Sequence, residues 1–196
     1  MKNPLASLYP ALLLGLALTV LLLLSVGAPA FDQAFWAGVF RWAHVLAGLL
    51  WVGLLYFFNL VQIPALAAMP EENRPVLARF VAPRALFWFR WSAVATVLLG
   101  LVTAMLSGYL PALWTLGLDG SGPRHTMIGI GMWMALVMAA NVWVVIWPCQ
   151  KKALGIVPAD PAQKQRAART ALLAGRFNLL LSFAMLYAMV MAKSAG

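Results

Sequence analysis

The chain has 196 residues, 64% of them hydrophobic, and its 14 Lys or Arg against 5 Asp or Glu give a formal charge of +9. Charged residues are 10% of the total, whereas a soluble domain carries about 25%, so there are too few to coat a water-facing surface. At roughly 20 apolar residues per helical span, the length accommodates five or six membrane spans and no separate soluble catalytic domain.

The apolar segments, in chain order, run from Leu8 to Val26, Ala34 to Ile63, Ala85 to Tyr109, Thr126 to Trp147 and Ala171 to Met191. Each approaches or exceeds the length that crosses a ~30 Å hydrocarbon core as helix, which predicts an all-α integral membrane protein of five transmembrane helices in a single domain over 1–196. The first segment has the outline of a signal peptide, with Lys2 before a leucine-rich run that ends in Ala28-Pro29-Ala30; we read it as a retained first span. The breakers Pro64 and Pro70, Pro111, Gly120 to Pro123, Pro148 and Pro158 fall at or beyond span ends. Trp36, Trp88, Trp114 and Trp147 lie near the expected interfaces, as an aromatic belt does.

Loop charge sets the expected orientation. Arg74, Arg79 and Arg84 lie in the second loop and Lys151, Lys152, Lys164, Arg166 and Arg169 in the fourth, while the first and third hold Arg124 as their one basic residue. The positive-inside rule then puts the N-terminus in the cytoplasm and the C-terminus outside. Taken by side, the net charge is +8 inside and +1 outside. The excess is a topology signal, and no nucleic-acid partner is expected.

The second and fourth segments share a layout: His44, Gly48 and Asn59 in one, His125, Gly129 and Asn141 in the other, with His-to-Asn separations of 15 and 16 residues. At ~1.5 Å rise per residue, aligning the asparagines brings the two histidines to nearly the same depth in the outer half. A glycine at i+4 lies on the same helical face and leaves room beside each imidazole. Helices two to five are thus expected to form a four-helix bundle from a duplicated hairpin, with the first helix outside it.

Two imidazoles from different helices at one depth can ligate the iron of a b-type haem axially. Arg41, one turn before His44, and Arg124, beside His125, are placed to pair with haem propionates. Met132 and Trp133 are placed to contact the ring. The alternatives stay open: Gly48 and Gly129 also suit close helix packing, the histidines also suit hydrogen-bonded structural roles, and Arg41 also suits snorkelling. C-x-x-C-H is absent and Cys149 is the one cysteine, so neither covalent haem attachment nor an internal disulfide is expected; Cys149 reads as a bystander thiol. No phosphate loop or H-E-x-x-H motif occurs.

A second polar layer, Asn59, Gln62, Arg90, Asn141, Arg176 and Asn178, falls in the inner halves of helices two to five. Interhelical hydrogen bonding or an anion or quinone site would each account for it. All five carboxylates, Asp32, Glu71, Glu72, Asp119 and Asp160, fall in loops or at their edges, which argues against a proton pump or cation-coupled carrier.

The segment Arg41-Trp42-Ala43-His44-Val45-Leu46-Ala47-Gly48-Leu49-Leu50-Trp51-Val52-Gly53, the stretch Phe87-Trp88-Phe89-Arg90-Trp91, and Ala140-Asn141-Val142-Trp143 through Ile146-Trp147-Pro148 to Gln150-Lys151-Lys152 together resemble the membrane part of PuuD-type urate hydroxylases over roughly Phe40 to Met191. HemJ-type and copper-resistance membrane proteins show a similar R-W-x-H segment. Members of the urate hydroxylase family are about twice as long and often carry a cytochrome c domain; their asparagine-rich segment is reduced here to Arg176-Phe177-Asn178. The resemblance implies a bacterial inner-membrane protein near an electron-transfer chain, passing electrons to a separate cytochrome c or serving a larger membrane complex. Three functions follow as expectations: a b-haem electron-transfer protein, a membrane oxidoreductase of urate or a related substrate, or a cofactor-free accessory subunit.

Overall fold

The computed structural model describes residues 3–195, and Lys2, one of the charges in the +8 assigned to the inside, lies outside the described residues. Among them the structure is helical without strands. Five helical stretches are long and apolar enough to cross a membrane: Leu8–Ser25, Gln33–Ala68, Ala82–Leu106, Pro123–Ala153 and Pro161–Ser194.

The chain divides into two compact units, Met1–Trp36 and Ala37–Gly196. In the first, α1 (Leu8–Ser25) is apolar around its whole circumference, the pattern of a helix solvated by lipid rather than by water on one side. The Asp32 carboxylate accepts from the Phe35 N–H at 2.8 Å and caps the start of α2 (Gln33–Tyr56).

In the second unit, α2 continues through a π-helical segment, Phe57–Gln62, into α3 (Ile63–Ala68). Then follow α4 (Arg74–Phe80), α5 (Ala82–Leu106), the short α6 (Ala112–Thr115) and α7 (Pro123–Asn141). A second π segment, Val142–Ile146, joins α7 to α8 (Trp147–Ala153), and α9 (Pro161–Met191) closes the chain. The two π segments have one cause. Each is followed by a single residue and then by proline, Pro64 or Pro148, which has no N–H to give to the preceding turn and whose ring presses on the carbonyl four residues back. Widening the turn relieves both problems without ending the helix, so prolines expected to mark span ends instead lie inside continuous helical stretches.

The fourth and fifth spans begin earlier than the apolar runs suggest. α7 starts at Pro123, with Gly122 at φ +89° before it, so Arg124 and His125 occupy its first turn. α9 starts at Pro161 because Asp160 and Gln163 form a capping box, the Asp160 carboxylate accepting from the Gln163 N–H at 2.7 Å. Lys164, Arg166 and Arg169, expected in a loop, are therefore on its first turns. Hydropathy misses such starts because polar first turns carry no apolar signal.

Trp51, Val52 and Leu55 of α2, Leu86, Phe89 and Ala93 of α5, Met138 of α7, Val142 and Ile146 of the second π segment, and Met185 of α9 meet in one buried apolar cluster. A smaller one joins Ala104, Ala112 and Met132. Gly129 makes the second possible: a Cβ there would run into the Ala112 carbonyl oxygen and the Leu116 side chain, so α6 lies directly against the α7 backbone.

Candidate functional site

The N-terminal part of α2, the C-terminal end of α5, the start of α7 and the end of α9 gather at one end of the second unit. Arg41 Nη2 donates to the Ser107 hydroxyl at 3.3 Å, Arg124 Nη1 to the Tyr109 hydroxyl at 3.4 Å, and Arg124 Nη2 to the Lys193 carbonyl at 3.0 Å. Both arginines thus clasp helix ends, a use of guanidinium the sequence reading did not include.

His44 faces α5. Its Nδ1 lies 2.8 Å from the Thr96 carbonyl oxygen, which can only accept, so Nδ1 carries a proton and the lone pair of a neutral ring is on Nε2. The ring is seated on Gly100: a Cβ at that position would stand 2.8 Å from His44 Cε1 and 2.9 Å from Nδ1. The glycine that makes room for the imidazole is therefore Gly100 on the neighbouring helix. Gly48 approaches Thr96, whose Cγ2 would be 3.7 Å from an added Cβ, an ordinary contact.

His125 has different surroundings. Its ring meets the Tyr109 ring edge-on, with centroids 5.2 Å apart, and its buried Nδ1 has no hydrogen-bond partner. It opens on a pocket of about 350 Å³ lined by Tyr109, Ser121, Gly122, Pro123 and Arg124. On the rim, the Ser121 hydroxyl and N–H both donate to Asp119, which holds that carboxyl below its ordinary range. His44 does not line this pocket, so each imidazole has its own neighbours. Met132 is buried with Ala104 and Ala112, while Trp133 is half exposed and gives its indole N–H to the Leu113 carbonyl at 2.7 Å. Neither expected ring-contact residue lines the pocket beside His125.

The fit of these residues to a haem divides by residue. An axial imidazole needs one ring nitrogen held by a hydrogen bond and the other free, and His44 has that arrangement. His125 offers a ring beside open space. Gly129 leaves no cradle, since the Ala112 carbonyl fills its space. No group of three or more His, Cys, Asp or Glu side chains suited to a metal ion occurs among the described residues.

At the opposite end, the polar layer separates into parts. Asn141 Nδ2 donates to the Ala174 carbonyl at 2.9 Å and to Asn178 Oδ1 at 2.7 Å, and Asn178 Nδ2 donates to the Met138 carbonyl at 3.0 Å, which binds α7 to α9. One turn along α9, the buried Ser182 donates to the Leu179 carbonyl at 2.6 Å, and its oxygen lies 3.2 Å from the Tyr56 hydroxyl. Asn59 Nδ2 donates at 2.8 Å to Leu55 within its own helix. Arg176, expected in this layer, is exposed: it lies two residues from Asn178 and so points away from the face that Asn178 presents to α7. Cys149 is a free, half-buried thiol.

Thr96, Gly100, Tyr109 and Ser182 were not singled out by the sequence, which carries no sign of which helix a histidine or asparagine will meet. Comparison with protein-family models, with curated proteins and with solved structures finds no match for the chain. The resemblance to PuuD-type urate hydroxylases therefore rests on the quoted motifs alone.

Proposed function

We propose that the protein is a multi-pass membrane redox protein, a subunit or partner of a respiratory or oxygenase complex, in which His44 and His125 would hold a b-type haem at the histidine end. The single observation carrying this reading is the His44 Nδ1 contact with the Thr96 carbonyl, which orients the ring and leaves Nε2 as donor to iron. The haem would supply one-electron transfer. The chain's part is to hold and turn the imidazoles, to exclude water with the apolar clusters, and to place Arg41 and Arg124 near the propionates. The reading takes helices two to five as a four-helix bundle from a duplicated hairpin, in an inner membrane with the N-terminus cytoplasmic and the C-terminus periplasmic.

The purified protein is expected to have a Soret band that shifts on reduction, and His44→Ala is expected to lose most of its haem. A specific observation favours a second reading, a cofactor-free accessory subunit: His44 fills the space above Gly100 and Ala112 fills that beside Gly129, as in close helix packing. A colourless protein that co-purifies with larger membrane partners would establish that reading and remove the first.

A further inference from the structure

Trp147, the first residue of α8, collects two cations. Arg90 Cζ of α5 lies 3.3 Å from the centroid of its ring, and Lys151 Nζ, one turn along α8, lies 5.7 Å from the same centroid. Arg90 Cζ is also 5.7 Å from the Trp143 ring. Neither cation has a carboxylate partner among the described residues. Two polar atoms in this cluster are buried without a hydrogen-bond partner, Arg90 Nε and the Trp143 indole Nε1. Both are donors.

Two like charges drawn to one indole repel each other, and two buried N–H groups without acceptors each leave a desolvation cost standing. A neutral acceptor such as a quinone would answer the N–H groups but not the charge. An anion with several acceptor oxygens answers both, because a guanidinium and a lysine held at one indole ring by two helices offer the donors that phosphate oxygens take. The surroundings fit the level of a membrane in which phosphates reside: Trp147 follows the apolar run of the second π segment and precedes Lys151 and Lys152.

We infer that Arg90, Lys151 and the Trp143 indole N–H form a binding site for a phosphate-type anion over Trp147, suited to the headgroup of a net-anionic phospholipid. The inference is independent of haem at the other end.

The test uses the full chain in a non-ionic detergent, titrated with short-chain phosphatidylglycerol, short-chain phosphatidylcholine or inorganic phosphate. Tryptophan fluorescence and native mass spectrometry read binding. Phosphatidylglycerol is expected to bind, with Arg90→Gln weakening it about tenfold or more and Lys151→Gln several-fold. Arg84→Gln and Lys152→Gln, exposed basic residues at the same end, are expected to leave it unchanged. Arg90→Lys separates charge from fork geometry and should give an intermediate loss, and a thermal unfolding curve for each variant shows that it is folded. Saturable phosphatidylglycerol binding lost in Arg90→Gln assigns the lipid source. Arg90-dependent binding of inorganic phosphate with no response to phosphatidylglycerol assigns a free anion to the same site. Equal binding of phosphatidylcholine and phosphatidylglycerol, equal losses in Arg84→Gln and Arg90→Gln, or no binding by any of the three probes overturns the inference.

Discussion

The second and fourth spans each carry a histidine, a glycine, an asparagine, a π segment and a proline, with Asn59 inside its π segment and Asn141 just before its own, yet the matched histidines and asparagines reach a neighbouring helix at opposite ends. In the second, the histidine crosses to a neighbour and the asparagine stays at home: His44 reaches the Thr96 carbonyl of α5, and Asn59 donates to Leu55 in its own helix. In the fourth the roles exchange. His125 Nδ1 has no hydrogen bond, and Asn141 crosses to Ala174 and Asn178 of α9. A repeated pattern of residues therefore does not impose a repeated pattern of bonds. In each span one member of the matched pair reaches a carbonyl of the facing helix, that of Thr96, one turn from Gly100, in one case and that of Ala174 in the other.

The matched glycines give the largest test of this difference. Gly129→Ala drives a methyl onto the Ala112 backbone carbonyl, which cannot rotate away as a side chain would, and should cost about 2–3 kcal/mol of stability in detergent by thermal unfolding. Gly48→Ala meets Thr96 at an ordinary distance and should be neutral, or stabilising by up to about 1 kcal/mol through helix propensity. Equal effects at the two glycines would remove the distinction between the spans.

The clasps come next. Asn178→Ala removes the partner of both Asn141 and the Met138 carbonyl and should cost about 1–2 kcal/mol, the upper range for interhelical hydrogen bonds in membranes. His44→Ala, besides its effect on haem content, should cost about 1 kcal/mol by the same unfolding assay, whereas the His125→Ala change, with no hydrogen bond to lose, should cost less. Asn59→Ala should have the smallest effect, about 0.5 kcal/mol, because the Leu55 carbonyl it serves lies within the same helix. A cost for Asn59→Ala as large as that for Asn178→Ala would mean that Asn59, too, supports a bond across helices.

Much of the fold was legible because its causes are local. The five apolar runs predicted the five long helices, since length and composition decide whether a segment can cross a hydrocarbon layer. Span starts were misplaced where the signal was a cap: the Asp160–Gln163 box begins α9 ten residues ahead of the apolar run. The prolines were read as stops, but Pro64 and Pro148 each follow a widened turn inside a continuing stretch. In the candidate site, His44 and His125 were marked by residue type and spacing. Gly100 and Thr96 could not be, because glycine and threonine in an apolar run announce nothing until a ring is seen against them.

The sequence by itself determined an all-helical membrane protein with five long apolar helices, because hydropathy and length act within one segment and need no partner. It also determined the matched order of histidine, glycine and asparagine in two of those segments. Only the tertiary structure decided which of these groups bond: that His44 is fixed by Thr96 while His125 is not, that Asn141 and Asn178 bind α7 to α9, that Gly129 seats α6, and that Arg90 and Lys151 meet over Trp147. Each depends on the rotation of one helix against another, and that rotation is set by side-chain packing summed over the whole contact, which no single segment encodes.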